Sequence, residues 1–211
     1  MIDAKCKKCI RVNEKLFLKG DKCYSPKCSF ARKSTKSFSR RKNIKHPKRG
    51  FSEYGLQMRE KQKVKLNYGI NERHLINYVK TAGKKKNEDI KEKLYQALEM
   101  RLDNAVFKSG LMESKSRARQ AVSHGHFLVN NKKVDIPSLG LKAGDKFSIR
   151  PQSMAKGIFK DLEIKIKKYN PPAWIKLDKE KKAGEIAGRP SLVEEPVMQK
   201  SLNAIVEFYN R

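Results

Sequence analysis

Acidic side chains are scarce in this chain: 22 Asp and Glu stand against 50 Lys and Arg, a formal net charge of +28 over 211 residues. Self-repulsion on that scale opposes compaction unless a polyanion neutralises it, which makes nucleic acid the expected partner. Long apolar runs are missing too. None approaches the ~20 residues a helical membrane span needs, so a basic membrane protein is the weaker alternative. Charges interrupt the start of the chain, which argues against a secretory leader; the expected setting is cytoplasmic, with reduced thiols. There is no Gly-rich nucleotide loop, and no nucleophile or paired carboxylate lies near His124 and His126 in sequence. No chemistry is expected, and the protein is not read as an enzyme. Aromatics make up only 8% of the chain, with a single Trp. Trp174, after Pro171-Pro172, is expected in the core rather than as a base-stacking platform.

What is present is unevenly placed. Residues 1–86 hold 26 basic and 6 acidic side chains, residues 87–211 hold 24 and 16. The only cysteines, Cys6, Cys9, Cys23 and Cys28, are spaced C-x2-C-x13-C-x4-C. Two close pairs on a short connector can present four sulfurs tetrahedrally, and four protein ligands leave no open position, so one structural Zn2+ is expected. Unligated thiols, two disulfides or an iron–sulfur centre are the alternatives; a reduced compartment disfavours the disulfides. Lys5, Lys7, Lys8, Lys22 and Lys27 would offset the thiolate charge. Residues 29–50 then carry nine basic and no acidic residues. This reads as an arm disordered when free, contacting RNA through Arg40, Arg41, Lys42, Lys48 and Arg49.

Further along, Ser52 is placed to cap a helix running to about Tyr68, whose surface carries Arg59, Lys61, Lys63 and Lys65. Asn71 caps a second helix with Leu75, Ile76 and Val79 buried, and Arg73 is counted among its RNA contacts. A third starts at Asn87, before Glu88 and Asp89, with Ile90, Leu94, Ala97, Leu98 and Leu102 at helical spacing. Beyond Arg150, residues 162–166 alternate like a strand, and 174–177 read as another. Residues 182–190 read as a Gly- and Pro-punctuated loop, Lys179, Lys181 and Lys182 as part of a flexible stretch, and 199–206 as a closing helix.

The most informative stretch runs from Arg101 to Arg150. On Ser114–Ser123, Ala118, Ala121 and Val122 form a small apolar face flanked by Lys115 and Arg119, with Ser116 and Gln120 further round. A His124-Gly125-His126 corner leads to Phe127-Leu128-Val129, an Asn130-Asn131 turn and Lys133-Val134-Asp135-Ile136, a tight hairpin pattern. Arg101, Lys115, Arg117, Arg119, Gln120, His124, Gly125, His126, Asn130, Lys132 and Lys133 are the RNA-binding candidates here. Arg101-Leu102-Asp103 with Ser109-Gly110-Leu111 imitates a pseudouridine synthase motif. It opens the binding module itself rather than a long separate domain, so Asp103 is expected in a salt bridge or at a helix end.

This stretch resembles the RNA-binding module shared by ribosomal protein S4, some pseudouridine synthases and bacterial tyrosyl-tRNA synthetases. The likeness to the ribosomal S4 family extends through Tyr54–Val64 and Tyr68–Arg73 upstream and Ile205–Arg211 downstream, although Arg40-Arg41-Lys42-Asn43 replaces the family's usual Gly-Gln-His-Gly element. The resemblance implies a bacterial-type, zinc-bearing member with an α+β fold. A zinc-binding segment and basic arm (1–50) would precede a helical domain (51–100, completed by 191–211), with an α-α-β S4-type domain (101–190) and its small, mostly antiparallel sheet inserted. It also implies direct binding of 16S rRNA, nucleation of the body of the 30S subunit, and a share in translational accuracy with proteins S5 and S12. Contact with S3 and mRNA near the entry channel, through Lys48 and Arg49, would follow. A free-standing RNA chaperone and an RNA-modifying enzyme are the alternatives.

Overall fold

Local capping signals fix the helix starts. In the computed structural model, which describes residues 4–32, 52–84, 89–160, 162–167 and 169–210, Ser52 Oγ accepts the Gly55 amide at 3.2 Å and Asn71 Oδ1 the His74 amide at 2.9 Å. Asp89 caps the third long helix through the Lys91 amide; Asn87, expected in that role, lies outside the described residues. In chain order the elements are α1 (Ala4–Val12), α2 (Asp21–Tyr24), α3 (Glu53–Tyr68), α4 (Glu72–Gly83), α5 (Ile90–Glu99), α6 (Leu102–Lys108) and α7 (Lys115–Ser123). Then come β1 (Phe127–Val129), β2 (Lys132–Val134), β3 (Lys146–Ile149), α8 (Pro151–Met154), α9 (Leu162–Lys167), β4 (Ile175–Asp178), β5 (Ala183–Ile186) and α10 (Pro196–Tyr209).

Two main cores form. One gathers Val64, Tyr68, Leu75, Leu94 and Leu98 with Leu192, Leu202 and Ile205, so the last helix closes a layer begun by α3–α5. The other, built entirely from residues between them, packs α6 and α7 on a five-stranded antiparallel sheet of order β2-β1-β3-β5-β4. Trp174 is buried within it, as expected from its surroundings. A third, small cluster of Cys9, Val12, Leu16 and Leu18 leans on Leu66 of α3.

Two readings beyond Arg150 are corrected. Residues 162–167 are helical: Leu162 and Ile166, four apart, are buried, while Ile164, which an alternating strand would place beside them, is 70% exposed. The sequence L-E-I-K-I satisfies both periods, and only packing separates them. Residues 183–186 are a strand, not a loop; Gly184 is needed because the Phe147 ring crosses it, and a Cβ there would lie 2.3 Å from the ring. The preceding lysines sit in an ordered hairpin turn, where Asp178 accepts the Glu180 and Lys181 amides.

Candidate nucleic-acid interface

Helix α7 and the β1–β2 hairpin are joined through a shared core and a hydrogen-bonded corner. Ser114 caps α7, accepting the Arg117 amide at 3.3 Å. The helix ends at Gly125, whose φ is 66°. Its amide bonds Val122 O at 2.8 Å while the His126 amide reaches Ala121 O at 3.1 Å, the paired bonds of a Schellman stop. Asn130 and Asn131 take φ 48° and 64°, so the expected two-residue turn joins Val129 to Lys132; the second strand is Lys132–Val134 rather than 133–136.

That turn at Gly125 splits the two histidines. His124 is exposed. His126 is buried at 7% exposure, with its ring Nδ1 3.0 Å from Ser153 Oγ, and burial together with Lys156, His124 and Arg150 holds its pKa below the ordinary value. It supports the corner from inside, closed off from solvent. Lys133 runs across Gly125, where a Cβ would meet its Cε at 2.5 Å, and is exposed, as is Lys132. Asn130 is exposed, but its side chain bridges Asp145 at 2.9 Å and the Lys146 amide at 3.0 Å.

Several basic candidates turn out to be internal. Arg101 is 2% exposed and grips Asp103 with two bonds, at 3.0 and 2.7 Å, while donating to Tyr78 Oη at 2.9 Å. Asp103 is therefore the salt-bridge residue anticipated. Lys61, 5% exposed, bonds Glu72 at 2.9 Å and lies 4.0 Å from the Phe208 ring centroid. Its neighbour Lys63 pairs with Glu14 at 2.7 Å, and Arg59 Nε donates to Val12 O at 2.8 Å; both clamp the N-terminal segment onto α3. Glu72 also accepts from Lys65 and Tyr209; burial pushes its carboxyl upward, but these three bonds outweigh it and set the pKa to about 2.

Lys115 does not flank an open face either. Its ammonium lies 3.9 Å over the Tyr68 ring, and burial, aided by Lys108, brings its pKa to about 8 against the pull of Glu99. Glu99, 1% exposed, accepts from Tyr68 at 2.5 Å and from Asn104 at 3.0 Å, a polar joint between the two cores.

The residues left facing solvent are Arg73, Arg117, Gln120, His124, Asn130, Lys132 and Lys133, with Arg119 half-exposed and tied to Gly69 O at 3.0 Å. Arg117 also pairs with Glu113 at 2.7 Å, a surface bridge easily exchanged for another anion. Arg150, whose amide bonds His126 O at 2.9 Å, and Lys156 lie near His126, where β3 and the turn after α8 bring them. Such a surface can grip phosphates. Arg40, Arg41, Lys42, Lys48 and Arg49 lie outside the described residues.

The four cysteines form no disulfide, with Cys9, Cys23 and Cys28 buried and Cys6 partly so. Among the described residues no three Cys, His, Asp or Glu side chains are gathered closely enough to hold a metal ion, so the expected tetrahedral set is not assembled here. Backbone amides do point at sulfur: Lys19 N lies 3.4 Å from Cys23 Sγ, Leu16 donates to Cys9, and Phe30 and Ala31 to Cys28. Amide donors of this kind suit thiolate ligands.

Residues 1–99 match the family described as the ribosomal protein S4/S9 N-terminal domain, and residues 100–147 match the S4 domain. The chain is 38% identical over 210 residues to small ribosomal subunit protein uS4 of Syntrophomonas wolfei, covering 99% of this chain and 98% of that protein. It is 41% identical over 212 residues to the protein of that name in Desulfotalea psychrophila, covering 100% and 98%. The Thermotoga petrophila counterpart is 40% identical over 209 residues, covering 98% and 96%.

Proposed function

The chain belongs to the uS4 family of small-subunit ribosomal proteins, and from that premise we propose that it is a structural, non-enzymatic protein of the cytoplasmic ribosome that binds 16S rRNA directly. The observation that carries this reading is the cationic surface of α7 and the β1–β2 hairpin, where Arg117, His124, Lys132 and Lys133 are exposed on a folded, hydrogen-bonded unit. Little ordering entropy then opposes each phosphate contact. By family, the protein nucleates assembly of the 30S body, contributes to accuracy with S5 and S12, and meets S3 and mRNA through the arm bearing Lys48 and Arg49. The test is co-sedimentation with small subunits through sucrose gradients in high salt. Stable association is expected; a protein that stays at the top of the gradient would refute a structural role, and one released only from non-ribosomal RNA would favour a chaperone.

One structural Zn2+ held by Cys6, Cys9, Cys23 and Cys28 is part of the proposal, supported by the sequence spacing and by the amides directed at three of the four sulfurs. The ion would supply folding energy to a segment whose apolar cluster is small. Metal analysis of purified protein should give about one equivalent, since one set of four thiolates holds one ion. Cys9→Ser should release it and loosen the N-terminal segment, leaving the sheet domain folded. Protein free of zinc with an intact N-terminal segment would eliminate the site.

A further inference from the structure

A cavity of about 490 Å3 lies between the N-terminal segment and the sheet domain. Its walls are aromatic and apolar, with Phe17 and Tyr24 on one side and Phe107, Ile158, Leu162 and Tyr169 on the other. Tyr24 is 74% exposed, and its ring lies 5.0 Å from that of Phe17 at 31°. Phe17 has φ 50°, a region a bulky side chain occupies only when its surroundings hold it there. Strain that keeps an aromatic pair at the mouth of a cavity points to a ligand for that pair.

The polar groups at the rim narrow the choice. Lys165 bonds Asp21 at 2.9 Å and also Glu113, which accepts from Arg117 as well. Each carboxylate keeps acceptor lone pairs beyond these bonds. Asp21 and Glu113 thus stand at the rim beside the aromatic rings, each paired with a cation of this chain, Lys165 or Arg117. Their remaining lone pairs match a planar group carrying N–H donors. Lys15, 5.2 Å from the Phe17 centroid, sets a cation beside the rings for the phosphate next to such a group. The volume falls within the ~300–1,000 Å3 of pockets that enclose small planar ligands.

We propose that this cavity receives one unstacked purine of the bound rRNA, guanine by preference, stacked on Tyr24 with its N–H edge turned to Asp21 and Glu113. The proposal rests on the rRNA-binding reading above and adds a base contact to a surface that otherwise meets backbone. It is tested by filter binding of the full chain to small-subunit rRNA at several salt concentrations. Tyr24→Ala should weaken binding on the order of 10-fold, the size of one base–aromatic stack, without changing the salt slope. Tyr24→Phe should restore wild-type affinity. Ultraviolet crosslinking should join Tyr24 to a single guanine, and inosine at that nucleotide, lacking the 2-amino donor, should weaken the wild type.

Wild-type affinity in Tyr24→Ala would overturn the proposal, as would a reduced salt slope, which marks a lost phosphate contact, or crosslinks scattered over many nucleotides. An inosine-substituted RNA that binds normally would remove the guanine preference and the role of the carboxylates. Failure of the wild type to bind rRNA would overturn the broader reading as well; binding that ignores Tyr24 overturns only the cavity.

Discussion

Arg101→Met should cost about 3–5 kcal/mol of stability, because it strands the Asp103 carboxylate inside the protein without its bidentate partner. The two side chains are 2% and 7% exposed, so water cannot replace the lost bonds. Tyr78 of α4 loses its donor at the same time, and with it a link between the helical core and the sheet domain. The double variant Arg101→Met/Asp103→Leu should recover most of the loss, since removing both charges eliminates the uncompensated ion. Urea unfolding of the wild type, the single variants and the double variant decides the matter. Equal losses in single and double variants would reject an electrostatic cause. A single-variant loss near zero would show that Arg119, 3.6 Å from Asp103, takes over the pairing.

Affinity for small-subunit rRNA should fall on the order of a thousandfold or more between 50 and 200 mM salt if about 6–10 phosphates are neutralised, because each contact releases condensed counterions. The exposure of individual lysines predicts which of them set that slope. Lys132→Gln with Lys133→Gln should lower it by about two, roughly one per phosphate contact. Lys115→Met should leave the slope unchanged and act on stability instead, since its ammonium sits over Tyr68 beside Glu99 rather than in solvent. Lys179, whose Nζ bonds Lys167 O in an ordered turn, should likewise be silent in the slope. A nearly flat salt response would show that the cationic surface is not where RNA binds, and a slope lowered equally by all four substitutions would mean that only total charge matters.

Much of this molecule is written in short-range signals. Ser52 and Asn71 announce their helices because a capping oxygen needs only an amide two or three residues ahead. Asn130-Asn131 announces a hairpin because both residues tolerate positive φ. The excess of cations identifies a polyanionic partner without any coordinates. The sequence could not say which cations reach that partner. Lys61, Arg101 and His126 look like surface contacts in a linear reading, and each is enclosed by an element far away in the chain: Phe208 for Lys61, Tyr78 for Arg101 and Ser153 for His126, while Lys115 is half-buried with its ammonium over Tyr68. The helix at 162–167 and the strand at 183–186 escaped for the same reason, since Gly184 becomes a strand residue only where Phe147 lies across it. Caps, turns and net charge are properties of neighbours along the chain. Burial is a property of neighbours in space, and only the packing of the last helix on α3–α5, with the sheet domain inserted between them in the chain, decides it.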